Sequence, residues 1–179
     1  MLVRQLNGQG ESIKFGPMKI RSVQPSDNLA LAKMIRSVFI EFDAPRTGTV
    51  FADSSTDDLF GLFTKPNSKL FVLELEGEPV GCCGFFPTAG LPEGWAEVVK
   101  FYLAPSARGK GYGKAMLQRT IEEAELSGFS NLYLESIPEY ATAVGLYLSM
   151  GFKALDQRMG DSGHCSCDLW FARTAAASS

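Results

Sequence analysis

The sequence predicts an α/β (α+β) fold in which helices flank a mixed central sheet. Short apolar segments of strand length alternate with segments whose apolar residues recur every three or four positions, as on one face of a helix. Residues 69–76 and 79–86 are two such strands separated by two residues, which is typical of a hairpin. The resulting order, β-α-α-β-β-β-α-β-α-β-β, fits a sheet covered by helices. A length of 179 residues is enough for one domain with a full core.

The first half of the chain begins with a short predicted strand at residues 20–23. Ser26 or Asp27 suits the N-cap of the helix that follows. The apolar face of this helix comprises Leu31, Ile35, Val38, Phe39 and Phe42. After a loop, residues 56–63 predict a second, shorter helix, and the hairpin comes next.

The second half of the chain contains two further helices. Residues 111–127 carry apolar side chains at helical spacing and end before Gly128, a common helix terminator. Pro138 suits the first turn of a helix that runs to about residue 150. Strands are predicted around these helices at residues 97–103, 132–134, 152–156 and 165–172.

The two ends of the chain differ from its middle, and we assign a single domain to residues 18–173. Residues 1–17 contain glycine and proline but little apolar periodicity. We interpret them as a leader or a vector remnant, with Met18 as the natural start. Residues 174–179 are of low complexity and predict a disordered tail.

Composition excludes several classes of function. A net charge of −3 gives no reason to expect nucleic acid, and no apolar run reaches the ~18 residues of a membrane span. The cysteines, Cys82, Cys83, Cys165 and Cys167, include no Cys-x-x-Cys, so we expect reduced thiols in a cytoplasmic protein. We expect no metal site, because one histidine and a Cys-x-Cys supply no recognised ligand set.

The most informative motif is the segment Arg-Gly-Lys-Gly-Tyr-Gly at residues 108–113, between a predicted strand and a predicted helix. Glycines let the main chain approach a ligand, and the free N–H groups of a first helical turn favour an anion, so we expect phosphate. A nucleotide P-loop is excluded because its first glycine would fall on Arg108 and its hydroxyl on Ala115. A dinucleotide fingerprint is excluded because Lys114 or Met116 occupies the third glycine position.

The pattern Arg-x-x-Gly-x-Gly resembles the pyrophosphate loop of the GNAT superfamily of N-acetyltransferases. Residues 143–152 resemble a second landmark of that family, Ala-x-x-Leu-Tyr-x-x-x-Gly-Phe, and the resemblance extends over residues 18–173. It implies a mixed, mostly antiparallel central sheet flanked by helices, and acetyl-CoA as cosubstrate. The implied phosphate contacts are Arg108, Gly109, Lys110, Gly111, Tyr112, Gly113 and Lys114.

The resemblance also implies where the rest of the coenzyme binds. In this family the pantetheine arm lies along the strand before the phosphate loop, which implies main-chain contacts from Phe101, Tyr102 and Leu103. Tyr140 stands where many members carry an asparagine with a polar contact on the coenzyme side. We keep Tyr140 in the predicted coenzyme site as a departure from the family pattern.

Two residues are candidates for proton transfer. Tyr147 matches the family tyrosine that protonates the departing thiolate, and a phenol of pKa ~10 can do so at little cost. The alternative for Tyr147 is a core tyrosine on the apolar face of its helix. Glu97 matches a glutamate that acts as a base through water, with a polar strand residue or a substrate anchor as alternatives. His164 and Cys165 are set aside, because neighbours on a strand face opposite sides.

These features predict an enzyme that transfers an acetyl group from acetyl-CoA to a primary amine of a small molecule or peptide, directly in a ternary complex. A non-catalytic coenzyme A-binding regulatory domain is the alternative, and a glycine-rich structural domain without a ligand is the third. The oligomeric state is open, a homodimer included. Acidic residues around the first two helices (Asp43, Asp53, Asp57 and Asp58) favour a cationic acceptor through the field of an acidic rim.

Overall fold

The computed structural model describes residues 4–6, 12–14 and 18–175. Within them the strands are β1 (Arg4–Leu6), β2 (Ser12–Lys14), β3 (Lys19–Ser22), β4 (Lys69–Leu75), β5 (Glu78–Phe86), β6 (Trp95–Leu103), β7 (Asn131–Ser136), β8 (Lys153–Leu155) and β9 (Leu169–Thr174). The helices are α1 (Asn28–Glu41), α2 (Leu59–Leu62), α3 (Tyr112–Leu126) and α4 (Ala141–Ser149).

The short strands β1 and β2 pair antiparallel within the segment interpreted as a leader. The rest of that segment and residues 176–179 of the predicted tail lie outside the described residues. At the other end, β9 extends to Thr174, one residue past the predicted domain boundary, and the Ala175 N–H donates to the Ser130 carbonyl. The last strand is therefore held one residue further than its composition indicates.

A seven-stranded sheet forms the centre of the molecule, in the order β3-β4-β5-β6-β7-β9-β8. Only the pair β6 and β7 is parallel, and every other neighbouring pair in this sheet is antiparallel. This mixed, mostly antiparallel sheet flanked by helices confirms the predicted fold class.

The sheet has an apolar core on each face, because successive side chains of a strand point to opposite sides. Along β4, Phe71 and Leu73 pack with α3 and α4, whereas Leu70 and Val72 pack with α1 and α2. The apolar periodicity of α1 is accordingly buried from Leu31 through Phe39, while Phe42, which follows the helix, stays partly exposed.

Two elements differ most from their predicted bounds. The second predicted helix is a 3₁₀ turn, Ser54–Asp57, followed by the single-turn α2, whose first N–H groups include one that donates to Asp58. The last strand begins at Leu169 rather than at residue 165. The residues before this strand contact the loop that follows α1, where the Ser166 N–H donates to the Gly48 carbonyl at 3.3 Å. His164 and Cys165 therefore lie in a loop, and the argument that they occupy opposite faces of a strand does not apply.

Strand β6 carries a β-bulge in its middle. Tyr102 pairs with Cys82 and Val99 with Gly84, so that β6 has one residue more than β5 between these two pairs. Lys100 lies in the extra stretch, with a φ of 55° that side chains rarely adopt. Bulges of this kind bend a strand and redirect its side chains.

Strands β6 and β7 pair over only three residues and then separate. Their last paired residues are Glu97 and Tyr133. Each strand stays paired on its other side, β6 with β5 as far as Leu103 and β7 with β9 as far as Ser136. The central sheet therefore contains a gap, and the residues of β6 after Glu97 present an open main-chain edge to it.

The close pairing of β4 and β5 gives a test of this fold. A β-carbon at Gly84 would overlap the main-chain oxygen of Lys69 and lie 3.0 Å from the Leu70 Cα. We expect Gly84→Ala to lower the free energy of unfolding by roughly 1–3 kcal/mol, measured by urea denaturation. Gly145→Ala in α4 is the matched control, because nothing lies within 4 Å of its β-carbon. It should be neutral or stabilise by up to about 1 kcal/mol. Equal stabilities of the two variants would contradict the β4–β5 packing.

Candidate active site

Two cavities follow the gap between β6 and β7. The first, of about 340 Å³, contains Glu97 in its wall and is called the Glu97 cavity. The second, of about 310 Å³, lies beside residues 108–113 and is called the glycine-loop groove. Phe101, Tyr102 and Tyr140 line both cavities, so the two spaces meet at these residues.

The glycine loop, residues 108–113, has the conformation expected of an anion site. Gly109 and Gly111 have φ values of 71° and 81°, in the left-handed region that favours glycine. Gly111 is the N-cap residue of α3. A β-carbon at either glycine would meet no described protein atom within 4 Å, so the space above the loop is open. Unpaired N–H groups and the helix dipole of α3 face this space.

Arg108, at the start of the glycine loop, makes contacts within the protein. Its guanidinium makes a two-pronged contact with Glu41, with N–O distances of 2.6 and 2.9 Å, and its Nε donates to the Leu103 carbonyl at 3.0 Å. Arg108 therefore joins the end of α1 to the end of β6. The other basic residue of the loop is Lys110, whose Nζ donates to the Ser106 carbonyl at 2.8 Å.

The open edge of β6 brings both main chain and aromatic rings to the gap. The Ala104 N–H donates to the Val80 carbonyl of β5, so the main chain of the preceding residue, Leu103, points to the gap. By the same alternation the main chain of Tyr102 faces β5, and its ring lines the cavities. The ring of Phe101 packs beside Tyr147, with 5.9 Å between centroids.

Tyr140 has a polar atom without a partner where the two cavities meet. Its ring packs edge-on against Phe39, Phe42 and Tyr102, with centroids 5.9, 5.5 and 6.3 Å away. Its hydroxyl is buried and has no hydrogen-bond partner among the described residues. Burial raises the pKa of this phenol, which stays protonated. A buried hydroxyl without a partner costs about 1–3 kcal/mol, so this one is suited to a polar atom of a ligand.

Glu97 is a buried carboxyl group in the wall of its cavity. It is 3% exposed and accepts a hydrogen bond from the Thr88 hydroxyl. Burial raises the pKa of Glu97 to about 7, and the Glu135 charge contributes in the same direction, while Thr88 and Lys100 oppose it. The group is therefore near half ionisation at neutral pH, which is the range in which a general base works best.

Tyr147 belongs both to the core and to the Glu97 cavity. Its ring lies among Phe101, Phe152 and Phe171, with centroids 5.9, 6.2 and 6.0 Å away, and the residue is 6% exposed. It also lines the Glu97 cavity. Burial raises the pKa of the Tyr147 phenol well above its ordinary value, so it carries a proton at neutral pH. A packed ring and a proton donor are compatible in this position.

A second charged group, which the sequence did not reveal, lies in the same cavity. The Lys100 side chain is 4% exposed, and its Nζ lies 3.4 Å from Asp53 Oδ2 and 3.5 Å from Thr56 Oγ1. Burial lowers the pKa of Lys100, against the attraction of Asp53. For Asp53, burial favours the neutral form, but Lys100 and the hydrogen bonds from Ser55 outweigh it and lower the pKa to about 2.

His164 reaches this cavity from the loop before β9. Its Nε2 lies 3.5 Å from Asp53 Oδ2, and burial lowers the pKa of His164, so the imidazole is mainly neutral at pH 7. Its neighbour Cys165 is exposed, whereas Cys167 lines the cavity. The single histidine, set aside in the sequence, is therefore brought to the site by the position of its loop.

Glu135 fixes the loop that carries His164. Its carboxylate accepts from the Tyr133 hydroxyl at 2.8 Å and from the Ser162 hydroxyl at 2.7 Å, and it lies 3.4 Å from Arg158 Nε. The Asp161 N–H donates to the Ala89 carbonyl at 2.8 Å, which attaches the same loop to the end of β5. These contacts define one wall of the Glu97 cavity.

The predicted acidic rim is partly neutralised within the protein. Asp57 forms a two-pronged contact with Arg36, at 2.6 and 2.9 Å. Asp58 accepts from the Asn28 amide and from the Gly61 N–H. Asp53 is paired with Lys100, so two of the four carboxylates of the predicted rim are paired with cations, and the preference for a cationic acceptor stays a prediction.

Two properties of the described residues bear on other functions. No group of three or more His, Cys, Asp or Glu side chains among residues 18–175 is arranged to hold a metal ion. None of the helices in the part of the chain that the structure describes is long and apolar enough to cross a membrane.

The chain matches known acetyltransferases in sequence. The model of the Acetyltransferase (GNAT) family matches residues 35–152. The uncharacterized N-acetyltransferase YjgM of Escherichia coli K12 is 34% identical over 155 residues, which cover 86% of this chain and 93% of that protein. The IAA acetyltransferase of Azospirillum brasilense is 36% identical over 89 residues, 49% of this chain and 56% of the relative.

Solved structures with little sequence identity share the fold. A GNAT acetyltransferase of Staphylococcus aureus has a TM-score of 0.79 at 16% identity, over 89% of this chain and 100% of its own. YncA of Salmonella typhimurium, solved with acetyl-CoA, has a TM-score of 0.72 at 18% identity, over 92% and 97% of the two chains. Since the family model matches more than half of its length and YjgM aligns with most of it, the chain belongs to the GNAT family of acetyltransferases.

Proposed function

We propose that this protein transfers an acetyl group from acetyl-CoA to a primary amine of a small molecule or peptide, directly within a ternary complex. The observation that carries the proposal is the pairing of Glu97 and Tyr147 in one cavity that opens to the glycine-loop groove. One is a carboxyl group with a pKa near 7, and the other is a phenol that stays protonated. Binding of coenzyme A alone needs neither group, so their presence favours an enzyme over a regulatory binding domain.

The residues present fit acetyl-CoA along the gap. The N–H groups at Gly109, Gly111 and the first turn of α3 are suited to the pyrophosphate. Lys110, Tyr112, Gly113 and Lys114 remain in the proposed phosphate site. Arg108 acts indirectly, by holding the end of β6 against α1. YncA, a structure of the same fold, was solved with acetyl-CoA, which supports this assignment.

The middle of the coenzyme fits the open edge of β6. The main chain of Leu103 points to the groove. Arg108 occupies its carbonyl, and its N–H can donate to a carbonyl of an extended ligand, as between neighbouring strands. Phe101 and Tyr102 supply the apolar wall, and the unpartnered Tyr140 hydroxyl is suited to a polar atom of the coenzyme. Bound acetyl-CoA supplies an acetyl group activated as a thioester.

The chain's own residues then move two protons. Glu97 in its ionised form accepts a proton from the incoming ammonium, directly or through water, and so frees the nitrogen lone pair for attack. Tyr147 donates its phenolic proton to the sulfur as the C–S bond breaks, and the second proton that the nitrogen loses on becoming an amide restores the phenol. We place the enzyme in the cytoplasm, because its four cysteines lack disulfide partners and suit a reducing compartment.

The glycine loop can be tested by calorimetry with coenzyme A. We expect Gly111→Val to abolish binding, because a side chain would occupy the open space above the loop. Gly128→Val is the matched control. Gly128 also has a positive φ, of 94°, and open surroundings, but it lies at the opposite end of α3. It should suffer the same backbone strain and keep its affinity. Equal affinities in both variants would place the phosphate elsewhere.

The acid role of Tyr147 can be tested with Tyr147→Phe, which keeps the ring in the core and removes only the proton donor. We expect kcat to fall roughly 100-fold while the affinity for acetyl-CoA stays nearly constant. Steady-state rates of thiol release, with acetyl-CoA affinity from calorimetry, give both quantities. A variant with the turnover of the wild type would make Tyr147 a packing residue.

The base role of Glu97 predicts a pH dependence. Because the carboxylate must be ionised to accept a proton, kcat/KM should rise with pH through an apparent pKa of about 7. Glu97→Gln should remove this step and lower the rate roughly 100-fold. Glu135→Gln is the control: the step should remain and move to lower pH, because the Glu135 charge raises the pKa of Glu97. A step at pH 7 that persists in Glu97→Gln would exclude Glu97 as the base.

A further inference from the structure

Lys100 has too few strong acceptors for a buried ammonium group. The two lysines that line the Glu97 cavity are Lys65, which is exposed, and Lys100, whose side chain is 4% exposed. An ammonium group has three donors, and the described residues offer Lys100 only Asp53 at 3.4 Å and Thr56 at 3.5 Å. Both distances exceed the usual range of 2.7–3.2 Å for such bonds. A buried charge without close partners is costly unless a ligand supplies them.

Asp53 cannot move closer to Lys100 without breaking its own contacts. One of its oxygens accepts the Ser55 N–H at 2.9 Å, which fixes the carboxylate at the start of the 3₁₀ turn. The other oxygen is shared between Lys100 and His164, at 3.4 and 3.5 Å. Lys100 therefore keeps donor capacity, and its ammonium lines the cavity.

The bulge of β6 places Lys100 on the same side of the sheet as Glu97. In a regular strand, positions 97 and 100 would face opposite sides. Here Val98 packs with the α3 core and Val99 with the α1 core, and the extra residue keeps Lys100 on the α1 side. Its φ of 55° costs about 1 kcal/mol or more, which the fold accepts at this position. Backbone strain of this kind is common at functional sites.

Strand β6 therefore brings a carboxyl group and an ammonium group to the same cavity. The Glu97 carboxylate can accept a hydrogen bond or a proton from an amine. The Lys100 ammonium can donate hydrogen bonds beyond those it makes to the described residues. Of the other carboxylates in the cavity wall, Glu135 is occupied by Tyr133, Ser162 and Arg158, and Asp53 by Ser55, Lys100 and His164. The main-chain positions of Glu97 and Lys100, three residues apart on the strand, are separated by about 10 Å. Both residues line the same cavity.

We propose that the acceptor is an amino acid, with a free carboxylate bound by Lys100 and its primary amine directed to Glu97. This inference rests on the proposed acetyl transfer and narrows its acceptor. The carboxylate of the acceptor completes the hydrogen bonds of the Lys100 ammonium. Before the acceptor binds, Asp53 balances the charge of Lys100.

The test compares acceptors that differ only in the carboxylate. The common L-amino acids are assayed with acetyl-CoA, each beside its own carboxamide. For the best acceptor we expect kcat/KM of the acid to exceed that of the carboxamide by roughly 10- to 100-fold, the usual worth of a hydrogen bond to a charged group. Lys100→Met, which keeps the length of the side chain, should reduce this ratio to about one.

Asp53→Asn is the matched control for Lys100→Met. It removes the charge of Asp53 but keeps the Lys100 amine, whose charged form the acceptor's carboxylate then stabilises, so the preference for the acid should persist. A purely structural ion pair gives the opposite pattern: both variants then lower the two rates together and leave the ratio unchanged. That pattern, or equal rates for every acid and its carboxamide in the wild type, would overturn the proposal. Circular dichroism and thermal stabilisation by coenzyme A show whether the variants are folded.

Binding of the reaction products can be measured without catalytic turnover and on the wild-type protein alone. N-acetyl-amino acids and their carboxamides are titrated calorimetrically into the wild-type protein with coenzyme A present. Tighter binding of the acids by tenfold or more, as expected for a contact with a charged group, supports the Lys100 site, and equal affinities overturn it. If no amine is acetylated, the proposed function is wrong, and this binding preference still decides the carboxylate site.

Discussion

The site depends on the separation of β6 from β7 after only three residue pairs. Main-chain N–H and C=O groups inside a protein require partners, so an open edge in the middle of a sheet is unfavourable unless something pairs with it. The gap persists because each strand is held on its outer side, β6 by β5 and β7 by β9. Arg108 occupies the Leu103 carbonyl at the far end and connects it to Glu41 of α1. The remaining edge is left for an extended ligand.

The bulge acts together with this gap. The gap makes room beside β6, and the extra residue at Lys100 decides which side chains face that room. Glu97, Lys100 and the ring of Tyr102 all come to line one cavity, although regular alternation would divide them between two faces. A single irregularity in one strand thus places a carboxyl group, a lysine and an aromatic wall within one space. The apolar core on each face of the sheet supports the burial of these polar groups.

The sequence predicted those parts of the molecule that depend on local pattern. The chain order of the sheet strands, the glycine loop and α3 follow from periodicity and turn chemistry, whereas the proposed roles of Tyr147 and Glu97 come from family landmarks and stay predictions. Lys100, Asp53 and His164 did not, because their meeting depends on a bulge and on two loops far apart in the chain. One signal was available: Lys100 is a charged residue within the apolar run 98–103, a position that rarely carries a charge without a partner.

The buried ionisable groups of the site affect stability in opposite directions. The folded protein raises the pKa of Glu97 from 4.5 to about 7, so the stability this group contributes is present below pH 4.5 and is lost as pH rises through 7. Asp53 has a pKa lowered from 3.8 to about 2, so its contribution is present above pH 3.8 and is lost as pH falls through 2. Near neutral pH the protein therefore keeps the stability from Asp53 while giving up part of that from Glu97. The ionised Glu97 that the proposed chemistry requires is thus the form that the fold stabilises less, and its reactivity arises from the same burial that makes it costly.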